Sequence, residues 1–481
     1  MIKQRTTIFN PKDTNDDVVS KITREKIVIQ TDNDENEPFI LENKITLPSS
    51  AIATTVNQFN LIKQLRIQSN DDSIKNDTVF TYKFSNGVNV YVIPKNVETK
   101  KDQEQFFEQV NVLLNSLLGI DVKTDNWIKT INSLYYHDDI SKRLDLTWFQ
   151  DASDEIQDSS ETYDLVFNNE DGNPTIVLKQ LTYLPPSEEF SISLNEKVRK
   201  EVGLFIIDKH ISTSDDIVLS GLRVIFDKEE QVPAEEGSKE EDYIFKTLFH
   251  IKPRHRFIDS TSTSSIVKNG LHPILKSNFQ SFTDIQEVDI LECSLYYYIN
   301  LNKSLIFDKY QSIPSGSSLV VHNGVSNLEL PEYKITEWGS EILFEFNNIS
   351  QDDIEFTLHS RYQSPNEIQN ATVVNNSLPE IFYGCNVKDD FLLDKSPFDS
   401  RLEIGGNYER YFTDNTVFYH LTHTPQSSVT IDVPNATGSI ETISTVTLVS
   451  VLFGVAIIIY TLLGAFFNGH RNSVTFEKKN E

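Results

Sequence analysis

The sequence has 481 residues, a formal net charge of -28 and two cysteines. That charge excludes nucleic acid or an anionic membrane surface as the main partner, because the electrostatic term would oppose both. Two cysteines exclude a disulfide-rich secreted scaffold, and a chain of this length buries a sizeable core without cross-links.

The first predicted elements are a β-hairpin and a helix. In Thr78–Pro94, Asn86-Gly87 separates two runs of alternating apolar and polar residues, which is a strong short-range hairpin signal. Apolar residues at helical spacing predict a helix over Gln103–Leu118, with Gly119 as its C-cap. We expect the apolar side of this helix to pack into a core.

Alternation at period two dominates the rest of the chain before residue 440. It predicts strands at Glu189–Leu194, Val202–Asp208, Ile217–Phe226, Val288–Asn300, Glu341–Phe346, Ile354–His359, Ile381–Val387, Thr416–Thr422 and Ser428–Val433. Their spacing predicts a mainly β, sandwich-like ectodomain with few helices. The acidic runs Asp151–Glu161 and Lys228–Asp242 are poor in apolar residues and predict solvated loops or linkers.

A membrane-spanning helix is predicted within Ile443–Phe467. The 28 residues between Glu441 and His470 hold no Asp, Glu, Lys or Arg. A bilayer core of roughly 30 Å needs about 20 apolar residues at helical rise, so this stretch is long enough to cross. A buried core helix is the alternative, but globular cores rarely require a helix that is apolar on every side.

Charge around this span predicts its orientation. The tail that follows contains Arg471, Lys478 and Lys479, whereas the twenty residues before Glu441 contain no Lys or Arg. The positive-inside rule then places residues 468–481 in the cytosol and the bulk of the chain in a lumen. The N-terminus lacks the apolar core of an ordinary signal peptide, which leaves two readings open: translocation directed by the terminal helix, or a tail-anchored chain with its bulk in the cytosol.

Asn-x-Ser/Thr sequons and the two cysteines are candidate sites of modification. Six sequons precede the span, about as many as chance would produce, at Asn76, Asn302, Asn348, Asn370, Asn375 and Asn435. Cys293 and Cys385 would either form a disulfide in an oxidising lumen or remain buried free thiols.

Motifs of catalysis and cofactor binding are absent, including nucleophile elbows and phosphate loops. Asp32-Asn33-Asp34 has the D-x-D form of some metal-dependent glycosyltransferases, but its run is so acidic that a solvated loop is the better interpretation. His420 and His423 would point to opposite faces of a strand, and His272 and His359 lack a second ligand at a recognisable spacing. We expect no catalytic, cofactor or metal residues, and the uncharged span argues against transport.

Six short strings nevertheless resemble a known family, the fungal Pbn1 proteins and their mammalian counterpart PIG-X. Their order and spacing before one C-terminal span carry the resemblance, over roughly residues 200–467. The strings are Gly270-Leu271-His272-Pro273, Phe307-Asp308-Lys309-Tyr310-Gln311, Leu328-Glu329-Leu330-Pro331-Glu332-Tyr333, Trp338-Gly339-Ser340-Glu341, Leu358-His359-Ser360-Arg361-Tyr362 and Phe412-Thr413-Asp414-Asn415-Thr416.

The resemblance implies a glycoprotein of the endoplasmic reticulum membrane that stabilises the catalytic subunit of GPI mannosyltransferase I. That multispanning enzyme adds the first mannose to the GPI-anchor precursor, and family membership supplies no catalytic residues for this chain. Because the family shares a lumenal N-terminus without an evident signal, the resemblance also favours translocation. A membrane-tethered lumenal chaperone or lectin-like binding module is the alternative function.

Together these observations divide the chain into an N-terminal α+β region at 1–180, a β-rich PIG-X-like lumenal domain at 181–440, the span at 443–467 and a cytosolic tail at 468–481. Candidate partner contacts are the Leu358–Tyr362 strand and Trp338, although core packing is the more typical role for that tryptophan. Within the span, Gly454, Ala456, Gly464 and Ala465 offer small surfaces for close helix contact.

Overall fold

A computed structural model of the protein describes residues 2–10, 19–23, 25–30, 38–48, 59–70, 79, 87–131, 133–145, 162–170, 174–184, 189–193, 198–212, 216–226, 244–280, 290–347, 352–388, 397–398, 407–423 and 428–477, with side chains of the last helix up to Ala465. Both predicted acidic runs and the Asp32-Asn33-Asp34 motif lie outside these residues. So do Asn76, Asn348 and the side chain of His423.

The described strands are β1 (Ile2–Phe9), β2 (Val19–Ile22), β3 (Lys26–Gln30), β4 (Phe39–Leu47), β5 (Ile62–Asn70), β6 (Gly87–Pro94), β7 (Ile128–Lys129), β8 (Leu134–Asp138), β9 (Thr162–Asn168), β10 (Thr175–Leu184), β11 (Glu189–Ser193), β12 (Val198–Ile207), β13 (Ile217–Phe226), β14 (Ile244–Ile251), β15 (His255–Val267), β16 (Ile274–Phe279), β17 (Ile290–Asn302), β18 (Leu305–Ile306), β19 (Ser317–Gly324), β20 (Gly339–Phe346), β21 (Asp353–Thr357), β22 (His359–Ser360), β23 (Ala371–Ser377), β24 (Glu380–Val387), β25 (Thr416–His423) and β26 (Ser428–Pro434). The helices are α1 (Lys100–Leu118) and α2 (Ile440–Glu477).

Two large sheets form the body of the protein. The first has eleven strands in the order β14-β13-β12-β1-β4-β10-β9-β5-β6-β8-β7, and the second has eight in the order β19-β20-β17-β24-β25-β15-β16-β21. Each sheet contains one parallel pair, β1 with β12 and β15 with β25, and its other pairs are antiparallel. Each parallel pair joins strands that lie far apart in the sequence, so neither is a local hairpin.

The two sheets pack face to face. Their shared core contains side chains from both, including Phe205 and Leu219 of the first sheet and Leu343, Phe382 and Phe418 of the second. On the far side of the first sheet lie α1 and a three-stranded sheet of β11, β3 and β2. On the far side of the second sheet lie the β23–β26 and β18–β22 pairs. The part of the chain before the C-terminal helix is therefore a layered β structure, which confirms the predicted mainly β, sandwich-like class.

The predicted helix at Gln103–Leu118 is present as α1. Thr99 caps its N-terminus, since the Thr99 hydroxyl accepts from the Asp102 backbone N–H while the Asp102 carboxylate accepts from the Thr99 N–H. Gly119 ends it at a φ of 66°, a left-handed conformation that favours glycine. Phe106, Val110 and other apolar residues of α1 are buried against the first sheet, so the core role predicted for this face is confirmed.

Most strands predicted in the second half appear within one or two residues of their expected bounds. Ile354–His359 is divided, because β21 ends at Thr357 and β22 begins at His359. Of the hairpin predicted in Thr78–Pro94, the second strand is present as β6, whose described partners are β5 and β8, and all but Val79 of its first half lies outside the described residues. The first sheet includes strands on both sides of residue 180 and continues to Ile251. The predicted domain division at residue 180 stays a prediction.

The C-terminal helix makes this a single-pass membrane protein. Glu441–Ala465 is the one described segment long and apolar enough to cross a bilayer, and none of it is buried against the rest of the protein. Ser439 caps the helix through its hydroxyl, which accepts from the Thr442 backbone N–H at 3.2 Å. The predicted span at Ile443–Phe467 lies within α2.

Candidate functional site

Four of the six family strings meet on the outer side of the second sheet. β18 ends one residue before Phe307 and pairs with β22 in the string Leu358–Tyr362. The backbone N–H groups of Leu358 and Ser360 donate to the carbonyls of Pro273 and Leu271, at 2.7 and 2.9 Å. Chain segments that are far apart in the sequence thus lie side by side.

Arg361 fixes the fourth string to this group. Its guanidinium is almost fully buried and donates to the Lys303 carbonyl at 2.9 Å through Nε and to the Leu330 carbonyl at 2.7 Å through Nη1. Burial holds the pKa of Arg361 below its ordinary value, although Glu337 opposes that shift. The next residue, Tyr362, accepts at its carbonyl from the Glu332 N–H at 3.0 Å. Arg361 therefore acts as a clamp on the loop that contains Leu330 and Glu332.

The loop and the strand end together present apolar side chains to solvent. Leu328 is 47% exposed, Leu330 40%, Tyr333 47% and Tyr362 67%. We call these four residues the Tyr362 surface. Exposed apolar residues are common singly, but a contiguous group of them more often marks a contact site.

The string around Trp338 lies elsewhere, at the contact between the two sheets. The Trp338 ring packs on Tyr135 and His137 of the first sheet, with centroids 5.1 and 5.2 Å apart, and its Nε1 donates to the Tyr135 carbonyl at 3.2 Å. Trp338 therefore joins the two large sheets. Of the two predicted contact candidates, the structure leaves Tyr362 accessible and places Trp338 in this packing.

Glu341, in the same string, is the centre of a buried polar network. Arg410 Nη2 donates to its Oε1 at 2.5 Å, while Tyr298 and Tyr411 donate their hydroxyls at 2.9 and 2.8 Å. The guanidinium of Arg410 also lies over the stacked rings of Tyr91 and Tyr135 from the first sheet. Burial would lower the pKa of Arg410, but Glu341 and the tyrosines hold it above its ordinary value. The network therefore joins the two sheets, and within it the negative charge of Glu341 and the positive charge of Arg410 compensate each other.

A second buried cluster contains His420, for which no local sequence pattern indicates a partner. His255 Nδ1 lies 2.9 Å from His420 Nε2, and His255 Nε2 is hydrogen-bonded to Glu409. The hydroxyl of Tyr408 lies 3.3 Å from His420 Nε2. Burial would raise the pKa of Glu409, but His255, Arg66 and Arg254 hold it below its ordinary value. No periodicity links His255 to His420, because their strands pair in parallel across more than 150 residues.

The described residues offer no ready metal site. Within them, no set of three or more His, Cys, Asp or Glu side chains is arranged to hold a metal ion. His272 and His359 do lie together, with ring centroids 4.6 Å apart. Burial lowers the pKa of His359, and His272 lowers it further.

The modification candidates lie in different surroundings. Cys293 and Cys385 face each other on β17 and β24, and their sulfurs form a disulfide with a Cα–Cα distance of 4.1 Å. Asn370 and Asn375 are exposed, whereas Asn302 and Asn435 are half-buried. Asn435 Oδ1 accepts from the Thr372 hydroxyl at 2.8 Å. We therefore rank Asn370 and Asn375 as the more accessible described sequons.

Comparison with known proteins gives one family and several relatives. The family described as PIG-X / PBN1 matches residues 268–463. The Candida albicans protein called Protein PBN1 is 40% identical over 96% of this chain and 97% of its own length. The Debaryomyces hansenii protein of the same name is 39% identical over 100% of both chains. The Saccharomyces cerevisiae one is 30% identical over 52% of this chain and 55% of its own.

Among solved structures, the C-terminal domain of the Streptococcus agalactiae AgI/II polypeptide BspA covers 79% of this chain and 95% of its own. Its identity is 7% and its TM-score 0.15, so this similarity does not bear on the fold.

Proposed function

The chain belongs to the PIG-X / PBN1 family, and on this premise we propose that it is a non-catalytic subunit that stabilises the catalytic subunit of GPI mannosyltransferase I. That multispanning enzyme adds the first mannose to the GPI-anchor precursor in the endoplasmic reticulum. The observation that carries the proposal is similarity to Pbn1 relatives along nearly the full chain, including its single span.

The anatomy of the chain supports an accessory role. A single span without Asp, Glu, Lys or Arg between Thr442 and Ala465 does not by itself enclose a lipid-linked sugar, so a companion of a membrane enzyme suits it better. A subunit that binds only the folded enzyme stabilises it by mass action. Gly454 and Ala456 within the span supply small surfaces at which a helix of the enzyme can approach closely.

The proposed location is the endoplasmic reticulum membrane, with the β ectodomain in the lumen and the tail in the cytosol. The disulfide between Cys293 and Cys385 supports an oxidising compartment for the ectodomain. Endoglycosidase treatment of the expressed protein should increase its mobility. No mobility change, combined with protease sensitivity of the ectodomain in sealed microsomes, would contradict this orientation.

Depletion of the chain tests the function directly. We expect the level of the catalytic subunit to fall and first-mannose transfer to the GPI precursor to fall with it. Normal transfer at an unchanged enzyme level would reject the subunit role and leave a tethered lumenal chaperone or lectin-like module as the better assignment. Re-expression of the full chain is the control and should restore both.

A further inference from the structure

The Tyr362 surface lies at a defined distance from the membrane anchor. The loop after Tyr362 reaches the anchor's base, since the Asn366 N–H donates to the Ala436 carbonyl at 3.1 Å, four residues before α2 begins. A chain of four residue steps spans at most about 14 Å, so Tyr362 lies no farther than that from Asn366. The surface is therefore within reach of molecules held at the bilayer.

The same surface stands away from the start of the span. Asn376, near the end of β23, accepts at its side-chain oxygen from the Asn302 N–H at 2.7 Å, and Arg361 is bonded to the neighbouring Lys303 carbonyl. Residue Ala371, at the other end of β23, pairs with Pro434 next to the anchor. Five residue steps of strand correspond to about 17 Å. The Tyr362 surface is thus tied, through Lys303 and Asn302, to the end of β23 that lies opposite the anchor.

The charge of the loop that Arg361 holds in place argues against a lipid headgroup as the ligand of the Tyr362 surface. The loop contains the carboxylates Glu329, Glu332 and Glu337 and one cation, Lys334, beside the apolar residues, so its net charge is negative, as is that of the whole chain. Of these, Glu332 forms an ion pair with Lys303 at 2.6 Å. An anionic membrane surface would be repelled by such a rim, whereas a protein segment with aliphatic and basic side chains matches it.

From this geometry we propose that the Tyr362 surface docks an extramembrane loop of the multispanning protein that this chain accompanies. The inference rests on the proposed function, and it adds the place of contact: Leu328, Leu330, Tyr333 and Tyr362 bury apolar side chains of that loop. Arg361 is a positioning residue, because it holds the two parts of the surface together without being accessible itself.

Site-specific cross-linking in native membranes tests the contact. A photoreactive phenylalanine analogue at position 362 of the full-length chain should cross-link to a multispanning protein. The same analogue at Leu248, which is 68% exposed on β14 of the first sheet, is the matched control and should not. A third position, Ile368, is 91% exposed beside the anchor and reports contact with lipid or with a second copy.

Substitution gives a second measurement. Leu330→Ser combined with Tyr362→Ser should reduce the amount of co-purified multispanning protein about tenfold or more, because central apolar contacts dominate binding. Leu248→Ser should leave it unchanged. None of the three side chains belongs to a buried core cluster, so the variants keep the core, and equal non-reducing mobility and protease resistance will verify this.

The outcomes separate the inference from the function on which it rests. If position 362 cross-links to lipid or to a second copy, or if the double substitution leaves co-purification unchanged, the surface assignment is wrong while the subunit role stands. If the wild-type chain co-purifies no multispanning protein and its depletion leaves first-mannose transfer normal, the proposed function itself fails.

Discussion

Glu341 shows what a single buried carboxylate does in this protein. It is fully buried and receives donors from both the 3₁₀ turn at Asn407–Tyr411 and β17, so several elements depend on its charge. Glu341 and Arg410 compensate each other's charge, and loss of one leaves its partner ionised and buried without a counter-charge.

We therefore expect Glu341→Gln to lower the free energy of unfolding by about 3–5 kcal/mol, because Arg410 would remain buried without its carboxylate. Chemical denaturation of the detergent-solubilised full chain measures this. Lys276→Ala is the control, since the Lys276–Glu355 pair is exposed and its loss should cost about 0–1 kcal/mol. Equal effects of the two substitutions would refute a structural role for the network.

Glu409 should make the stability of the folded β structure depend on pH in the acid range. The pKa of Glu409 in the folded protein lies below the ordinary value of about 4.5. The ionised carboxylate therefore contributes in full to the free energy of unfolding above that pH, and this contribution is lost as the pH falls through the folded pKa. We expect Glu409→Gln to be less stable than wild type by about 1–3 kcal/mol at neutral pH. Unfolding curves at pH 7 and at pH 3.5 should show that the stability difference between wild type and Glu409→Gln is smaller at the lower pH. An equal difference at both pH values would contradict a lowered pKa for Glu409.

At the scale of elements, the disulfide acts on two strands that are already neighbours. β17 and β24 pair in register at Cys293 and Cys385, so the bond adds little to the folded geometry and mainly restricts the unfolded chain. The cysteines are 92 residues apart, and the sequence gives no sign that these positions would face each other.

Replacement of both cysteines by alanine should lower the free energy of unfolding by about 4–5 kcal/mol in the chain-entropy account. Denaturation of the solubilised chain measures the loss, and reduced wild type should match the variant. Free thiols detected by alkylation of the denatured, unreduced protein would show that the bond does not form in the cell.

At the scale of the whole molecule, the anchor and the Tyr362 surface offer two points of contact with one partner. Two linked contacts bind far more tightly than either alone, because the second becomes intramolecular. The loop after Tyr362 bonds to Ala436, four residues before the anchor begins at Ile440, so the two contact points are joined by a short path.

Truncation after residue 439 should therefore release the ectodomain from the membrane and weaken its support of the enzyme. Fractionation and first-mannose transfer measure the two effects. Replacement of residues 443–467 by an unrelated apolar span is the control that restores tethering alone. Full enzyme support by the released ectodomain would show that the helix contributes nothing beyond attachment.

The sequence by itself determined the features that depend on local pattern. The span, α1 with its Gly119 cap and most strand bounds in the second half follow from runs and periods within one segment. The order and spacing of six strings also indicated the family, which the relatives confirm.

Only the tertiary structure decided which segments meet. β1 pairs with β12 and β15 with β25 across more than 150 residues, so His255 reaches His420 and the clamp of Arg361 forms without any local signal. The burial of Glu341 and Arg410 is likewise a property of two packed sheets, because a charged residue in an alternating strand reads as solvent-facing until a second sheet covers it. Local pattern sets which elements form, whereas long-range pairing and the burial of charge are set by the packing of the whole chain.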